Sequence, residues 1–138
     1  MTSKHNIVDE IDSEEHILTV VVADDDRDNL MFISLVLDAL NLNYYLANDG
    51  KTALDLINDK QPDLVLLDII MPIMNGIEVN IVIKTNRCTN RIPTVAITAL
   101  AEQRHIRSIK NAGFDDYIVK PFMIEDLESK LKYLLNIE

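Results

Sequence analysis

Three consecutive aspartates, Asp24-Asp25-Asp26, follow an aliphatic run, and a fourth, Asp68, closes a second run, Leu64-Val65-Leu66-Leu67. Thr98 stands just past a third run, Pro93-Thr94-Val95-Ala96-Ile97, and Lys120 just past a fourth, Asp116-Tyr117-Ile118-Val119. Carboxylates gathered in one crevice repel one another unless a cation lies between them. An all-oxygen donor set selects Mg²⁺, Mn²⁺ or Ca²⁺ over zinc, and neither a His nor the single Cys adjoins these positions. A lysine beside such a metal suits an anion, and a hydroxyl supplies one more hydrogen bond. Metal, ammonium and hydroxyl together match the three equatorial oxygens of a phosphoryl group in transfer. The remaining carboxylate would be the acceptor, because Asp can form an acyl phosphate.

That chemistry needs four segments ending at one edge, and the hydrophobic periodicity supplies them. Ile17–Ala23 reads as a strand buried on both faces. Asn29–Leu40 reads as a helix with Leu30, Ile33, Val36, Leu37 and Leu40 on one side. Tyr44–Ala47 is a second strand, and Lys51–Asp59 a helix stopped by Gln61-Pro62. The third strand, Leu64–Leu67, closes on Asp68 and is followed by a short helix, Ile77 to about Lys84, after the Pro72…Gly76 loop. Pro93–Ile97 is the fourth strand, and Glu102–Asn111 a helix ended by Gly113. Asp116–Val119 is the fifth strand, and Met123–Asn136 the last helix. Alternating strands and helices with short links imply right-handed crossovers and a parallel sheet covered on both faces. Ligands of such sheets sit outside the carboxyl ends of the strands, where the aspartates, Thr98 and Lys120 all fall.

Composition narrows the classes. The 138 residues, 48% of them apolar, suffice for one domain with a continuous core. One cysteine, Cys88, excludes an intramolecular disulfide framework and a multi-Cys zinc site. The net charge of -10 is concentrated: residues 1–68 hold 15 acids and 4 bases, residues 69–138 hold 8 acids and 9 bases. Direct nucleic-acid binding would have to work against that field. No apolar run is long enough to span a bilayer, and five acids with one Lys in the first sixteen residues are the wrong charge for a signal peptide. A soluble, cytoplasmic protein without a membrane partner is expected, with residues 1–16 as a flexible acidic leader and 17–138 as the folded domain.

Four segments, Val22–Asp26, Leu67–Gly76, Ala96–Ala99 and Tyr117–Phe122, lie in order at the predicted strand ends. They resemble the response-regulator receiver domain of two-component signalling, and the resemblance covers about Ile17 to Glu138. It implies a flavodoxin-like, doubly wound α/β fold: a five-stranded parallel sheet of order 2-1-3-4-5 flanked by five helices. It also implies a role for each position. Asp68 would accept a phosphoryl group from a histidine kinase or histidine phosphotransfer protein. Asp24 and Asp25 would hold Mg²⁺ (or Mn²⁺), with Asp25, Asp68 and the Ile70 backbone carbonyl as direct ligands. Thr98 would bond a phosphoryl oxygen, Lys120 would pair with its charge, and the Lys120–Pro121 bond would be cis. Tyr117 would turn inward as Thr98 moves, repositioning the surface of the fourth helix, fifth strand and fifth helix for a downstream protein. Asn75 departs from the more usual Asp before the glycine, at a position that shapes a turn.

Other readings explain less. An EF-hand loop beginning at Asp24 would need Gly and Glu where Asn29 and Leu35 stand. A haloacid-dehalogenase-type phosphatase could use Asp24 and Asp26, but leaves Asp68-Ile69-Ile70-Met71-Pro72 and Lys120-Pro121-Phe122 without a purpose. A pseudo-receiver that only binds partners would ordinarily lack Asp68, Lys120 or the acidic pair. A receiver cut from a larger regulator remains the other alternative. Taken singly, Thr98, Tyr117 and Lys120 have ordinary readings as a strand-end hydroxyl, a half-buried ring and a solvated lysine; their joint placement is what favours function. Two surfaces are candidates for partners: the basic stripe Arg104, Arg107 and Lys110, otherwise a solvated face, and Met31, Phe32 and Leu35 on the first helix, otherwise deeper burial. The resemblance also implies that the side chains two places after the acceptor Asp and the switch Thr help govern attack by water; Ile70 and Leu100 stand there, apolar and unable to orient one, so a long-lived phosphoryl group is expected.

Overall fold

A computed structural model describes residues 16–138, so the expectation for the leader falls outside the described residues except at His16. Ten elements alternate: β1 (Thr19–Ala23), α1 (Arg27–Ala39), β2 (Asn43–Ala47), α2 (Gly50–Lys60), β3 (Leu64–Asp68), α3 (Gly76–Thr85), β4 (Thr94–Thr98), α4 (Gln103–Asn111), β5 (Asp116–Val119) and α5 (Ile124–Leu135). The five strands are parallel in the order β2-β1-β3-β4-β5, as the resemblance implies. The reversal of strand order between β1 and β3 opens a crevice at their carboxyl ends.

The interior strands are aliphatic on both faces because both faces are covered. Val20, Val22, Leu64, Leu66, Val95 and Ile97 pack with Ile33 and Leu37 of α1 and Leu127 and Leu131 of α5. Val21, Ala23, Val65, Leu67 and Ala96 pack with Ala53 and Ile57 of α2, Val79 and Ile83 of α3 and Ile109 of α4. Burial of this aliphatic surface, at about 25 cal/mol per Å², holds the strand ends in register.

Boundaries differ from the sequence reading by at most two residues, with local causes. β1 begins at Thr19 rather than Ile17 because the Asp63 carboxylate accepts the Thr19 N–H (2.8 Å) while the Asp63 N–H reaches the Thr19 carbonyl (2.8 Å). The same carboxylate meets His16 Nε2 at 2.7 Å. α1 begins at Arg27 because Asp26 is its N-cap, accepting the Asp28 N–H at 2.9 Å. β4 runs one residue later than expected, ending on Thr98 itself. Asn75, the departure from the family's usual residue, caps α3: its Oδ1 accepts the Glu78 N–H (2.8 Å) and Glu78 Oε1 accepts the Asn75 N–H (2.9 Å). An amide serves that cap as a carboxylate would.

Candidate functional site

Asp24 leaves β1 and is fully buried, a costly place for a carboxylate unless its oxygens are occupied. They are. Oδ1 accepts the Asp26 N–H at 2.9 Å, Oδ2 accepts the Asn29 Nδ2 amide at 3.2 Å, and Lys120 Nζ lies 3.6 Å from Oδ2. Asp68, the last residue of β3, is 4% exposed, and its Oδ1 lies 3.4 Å from Lys120 Nζ. One ammonium therefore bridges carboxylates delivered by two neighbouring strands. Asp25 is exposed and completes a triad: Asp24, Asp25 and Asp68 each offer an oxygen within 4.8 Å of the others.

Burial, and next the charge of Asp24, push the Asp68 carboxyl up from 3.8 to about 6, against the lowering pull of Lys120. A single ammonium does not neutralise this cluster. A small, hard cation would, and the donor set contains only oxygen, so the residues present fit Mg²⁺ or Mn²⁺.

Lys120 is held at its backbone. Its N–H donates to the Thr98 carbonyl at 2.7 Å, and the Lys120–Pro121 peptide is cis, as expected. Beyond it, Phe122 meets Phe32 of α1 with ring centroids 5.8 Å apart, so an aromatic pair backs the segment that presents the ammonium. Thr98 is buried on the same sheet edge, and its hydroxyl accepts the Leu100 N–H at 3.0 Å. Tyr117 is half-buried, one residue into β5, packed against the core under α2, α3 and α4. Ile70 stands two residues past Asp68 with its side chain 63% exposed, and Leu100 is also exposed.

Of the expected partner-surface residues, Phe32 adjoins this crevice, lining a cleft with Asn29, Lys120 and Phe122. Arg104, Arg107 and Lys110 are all exposed on α4, with Arg104 3.9 Å from Glu102. Met31 and Leu35 are exposed on α1, whereas Phe32 is partly covered by Phe122. Two contributors escaped the sequence reading. Asn29 occupies an oxygen of Asp24, and its position in the first turn of a helix just after the acidic run was the available signal. Gly76 packs so closely on β3 that a Cβ there would overlap the Asp68 carbonyl oxygen; the Asn75-Gly76 pair reads as a turn, with nothing to announce that contact.

Residues 20–132 match the family model for the response regulator receiver domain. Among curated proteins, the response regulator ArlR of Staphylococcus epidermidis is 35% identical over 117 residues, covering 85% of this chain and 52% of that protein. This chain thus spans about half the length of the curated relatives it matches. A putative response regulator from Chloroflexus aurantiacus superposes with a TM-score of 0.83 at 26% identity, covering 88% of this chain and 99% of that one. The receiver domain of the sensor histidine kinase PA1611 from Pseudomonas aeruginosa, solved with a magnesium ion coordinated in its active-site cleft, gives 0.81 at 26% identity, with the same coverage.

Proposed function

Because this chain belongs to the response regulator receiver family, we propose that Asp68 accepts a phosphoryl group from the phosphohistidine of a histidine kinase or histidine phosphotransfer protein. An Asp68 Oδ atom bonds to phosphorus as the phosphorus–nitrogen bond breaks. The imidazole keeps that electron pair and takes up a proton, and Asp68 becomes an acyl phosphate. The observation that carries this reading is the convergence on Asp68: a buried strand-end carboxylate with Lys120 Nζ at 3.4 Å and the oxygens of Asp24 and Asp25 within 4.8 Å.

Asp24, Asp25 and Asp68, with the Ile70 carbonyl, would hold Mg²⁺ or Mn²⁺. The ion when bound offsets carboxylate charge and the charge of the transferring group. Lys120, already oriented toward Asp68, pairs with a phosphoryl oxygen once the acyl phosphate exists. Thr98 turns its hydroxyl to another, giving up its bond with the Leu100 N–H. That bond ties the end of β4 to the segment leading into α4, so its loss frees the segment and lets Tyr117 move inward. The surface of α4, β5 and α5, with Arg104, Arg107 and Lys110 exposed on α4, then favours an acidic protein partner rather than nucleic acid. Charge reversal at Arg104 and Arg107 is expected to weaken that docking.

Incubation with Mg²⁺ and acetyl phosphate tests the central claim. The parent should gain the mass of one phosphoryl group and Asp68→Asn should not; equal labelling of both, or of neither, would refute it.

A further inference from the structure

The acidic start of the chain has no part in the chemistry at Asp68. Residues 1–15 carry Asp9, Glu10, Asp12, Glu14 and Glu15 against Lys4 alone. The opposite charge is concentrated on one helix. α4 carries Arg104, Arg107 and Lys110 and no acid, while α1, α2, α3 and α5 each carry at least one. All three basic side chains are exposed. Among the described residues Arg104 has only Glu102 as a partner, at 3.9 Å, and neither Arg107 nor Lys110 is in an ion pair. Ile109 of the same helix is buried against the sheet, which holds the basic stripe toward solvent.

The acidic segment joins the fold within reach of that stripe. His16 meets Asp63, the residue before β3, at 2.7 Å, so the junction lies at the amino edge of the sheet. α4 follows the carboxyl end of β4 and stops before the amino end of β5, which brings Lys110 to the same edge. β1 and β4 are two places apart in the sheet, about 10 Å at the usual strand spacing, and α4 is about 13 Å long. Fifteen extended residues span up to about 50 Å, enough to run the length of the stripe. Arg87 and Arg91, both exposed, lie in the connection that enters β4 on this edge and extend the positive surface along it. The rest of the domain is net acidic and repels such a segment.

We propose that residues 1–15 dock on the α4 stripe as an internal competitor, occupying through charge the surface that an acidic partner would use. Each exposed ion pair is weak on its own, but the tether presents the acids to α4 at a high effective concentration. A partner must therefore bind α4 more tightly than the chain's own acids do. The contact itself needs no phosphoryl group; only the competition rests on α4 as the partner surface.

A nitroxide at position 3 of the full chain tests the contact. Ser3→Cys with Cys88→Ser places it, because Cys88 is exposed and is the single thiol. At about 10 mM salt, where charges act over roughly 30 Å, the label should weaken the amide NMR signals of Arg104–Lys110 by about twofold or more. Signals of Met31 and Leu35, on α1, should keep their strength. At about 1 M salt, where the range falls to roughly 3 Å, the weakening should vanish. It should also vanish when the five acids become amides (Asp9→Asn, Glu10→Gln, Asp12→Asn, Glu14→Gln and Glu15→Gln), and in Arg104→Gln/Arg107→Gln/Lys110→Gln. Polyglutamate should restore the α4 signals at an ionic strength where free glutamate does not. Full-strength α4 signals at low salt, weakening that persists in high salt or in either variant, or failure of polyglutamate to restore the signals would each overturn the proposal. Phosphorylation does not enter these measurements, so their failure leaves Asp68 as acceptor, and failure of acetyl phosphate labelling leaves this contact standing.

Discussion

Replacing the proposed acceptor should change stability in a way that depends on pH. Asp68 is buried, and its carboxyl is pushed from 3.8 to about 6 by burial first and the charge of Asp24 second. Below 3.8 the group is protonated in both folded and unfolded chains and contributes nothing. Between 3.8 and about 6 the folded chain holds the proton more tightly, so stability falls as pH rises through that window and levels off above it. At about 1.4 kcal/mol per unit, the ionised group costs the metal-free fold about 3 kcal/mol at pH 7.5 and about 1 kcal/mol at pH 4.5. Asp68→Asn removes the titration and adds an amide whose own burial cost is independent of pH. Relative to the parent, the variant should therefore gain about 2 kcal/mol between pH 4.5 and pH 7.5, whatever the amide itself costs. With a urea m-value of about 2 kcal/mol per M, that is a shift of roughly 1 M in the difference between the two midpoints. Urea titrations in EDTA at the two pH values measure it. Millimolar Mg²⁺ should then stabilise the parent more than the variant, because the variant replaces one of the proposed carboxylate ligands with a neutral amide. A midpoint difference that does not change with pH, or Mg²⁺ stabilising both proteins equally, would refute the argument.

Lys120→Met removes the ammonium that faces Asp24 and Asp68; labelling by acetyl phosphate should slow at least tenfold, and a parent-like rate would mean the ammonium is a bystander. Asp26 and Asp25 adjoin in sequence but differ in structure. Asp26→Ala, which loses the cap of α1, should cost about 1 kcal/mol and leave the Mg²⁺ affinity intact, whereas Asp25→Ala should weaken Mg²⁺ binding and leave the urea midpoint unchanged in EDTA. Titration and denaturation of both variants decide it. Purified phosphoprotein in Mg²⁺ buffer should lose its label slowly, since neither Ile70 nor Leu100 carries a group that could orient water; rapid loss, followed by mass spectrometry, would contradict that.

What the sequence made legible, and what it did not, divides along a physical line. Asp68 could be placed because a strand buried on both faces admits a polar residue only where it ends, and Lys120 because parallel strands end on one edge. The aliphatic runs therefore encode both the sheet and the position of its chemistry. Contacts that depend on two segments meeting carry no such signal. The hold of Asp63 on Thr19 and the bond from Asn29 to Asp24 arise from side-chain directions that only the assembled fold specifies.

Asp25 and Asp26 are equivalent as letters, yet one faces the well and the other turns to cap a helix, because the chain must leave extended geometry at the first N–H groups of α1. Ile73 is the strongest case. Its letter suggests core and its place between Pro72 and Gly76 suggests a turn; the structure gives it the turn, exposed and left-handed, with the Met74 N–H donating to the Pro72 carbonyl. Propensity, turn chemistry and burial all disfavour isoleucine there, so neither its letter nor its neighbours announce the left-handed backbone. Asp68 breaks the rules as well, as a carboxylate buried beside another carboxylate. Both departures fall within one short stretch, from the end of β3 to the turn before α3, where the chain trades local comfort for the placement of a strand-end carboxylate.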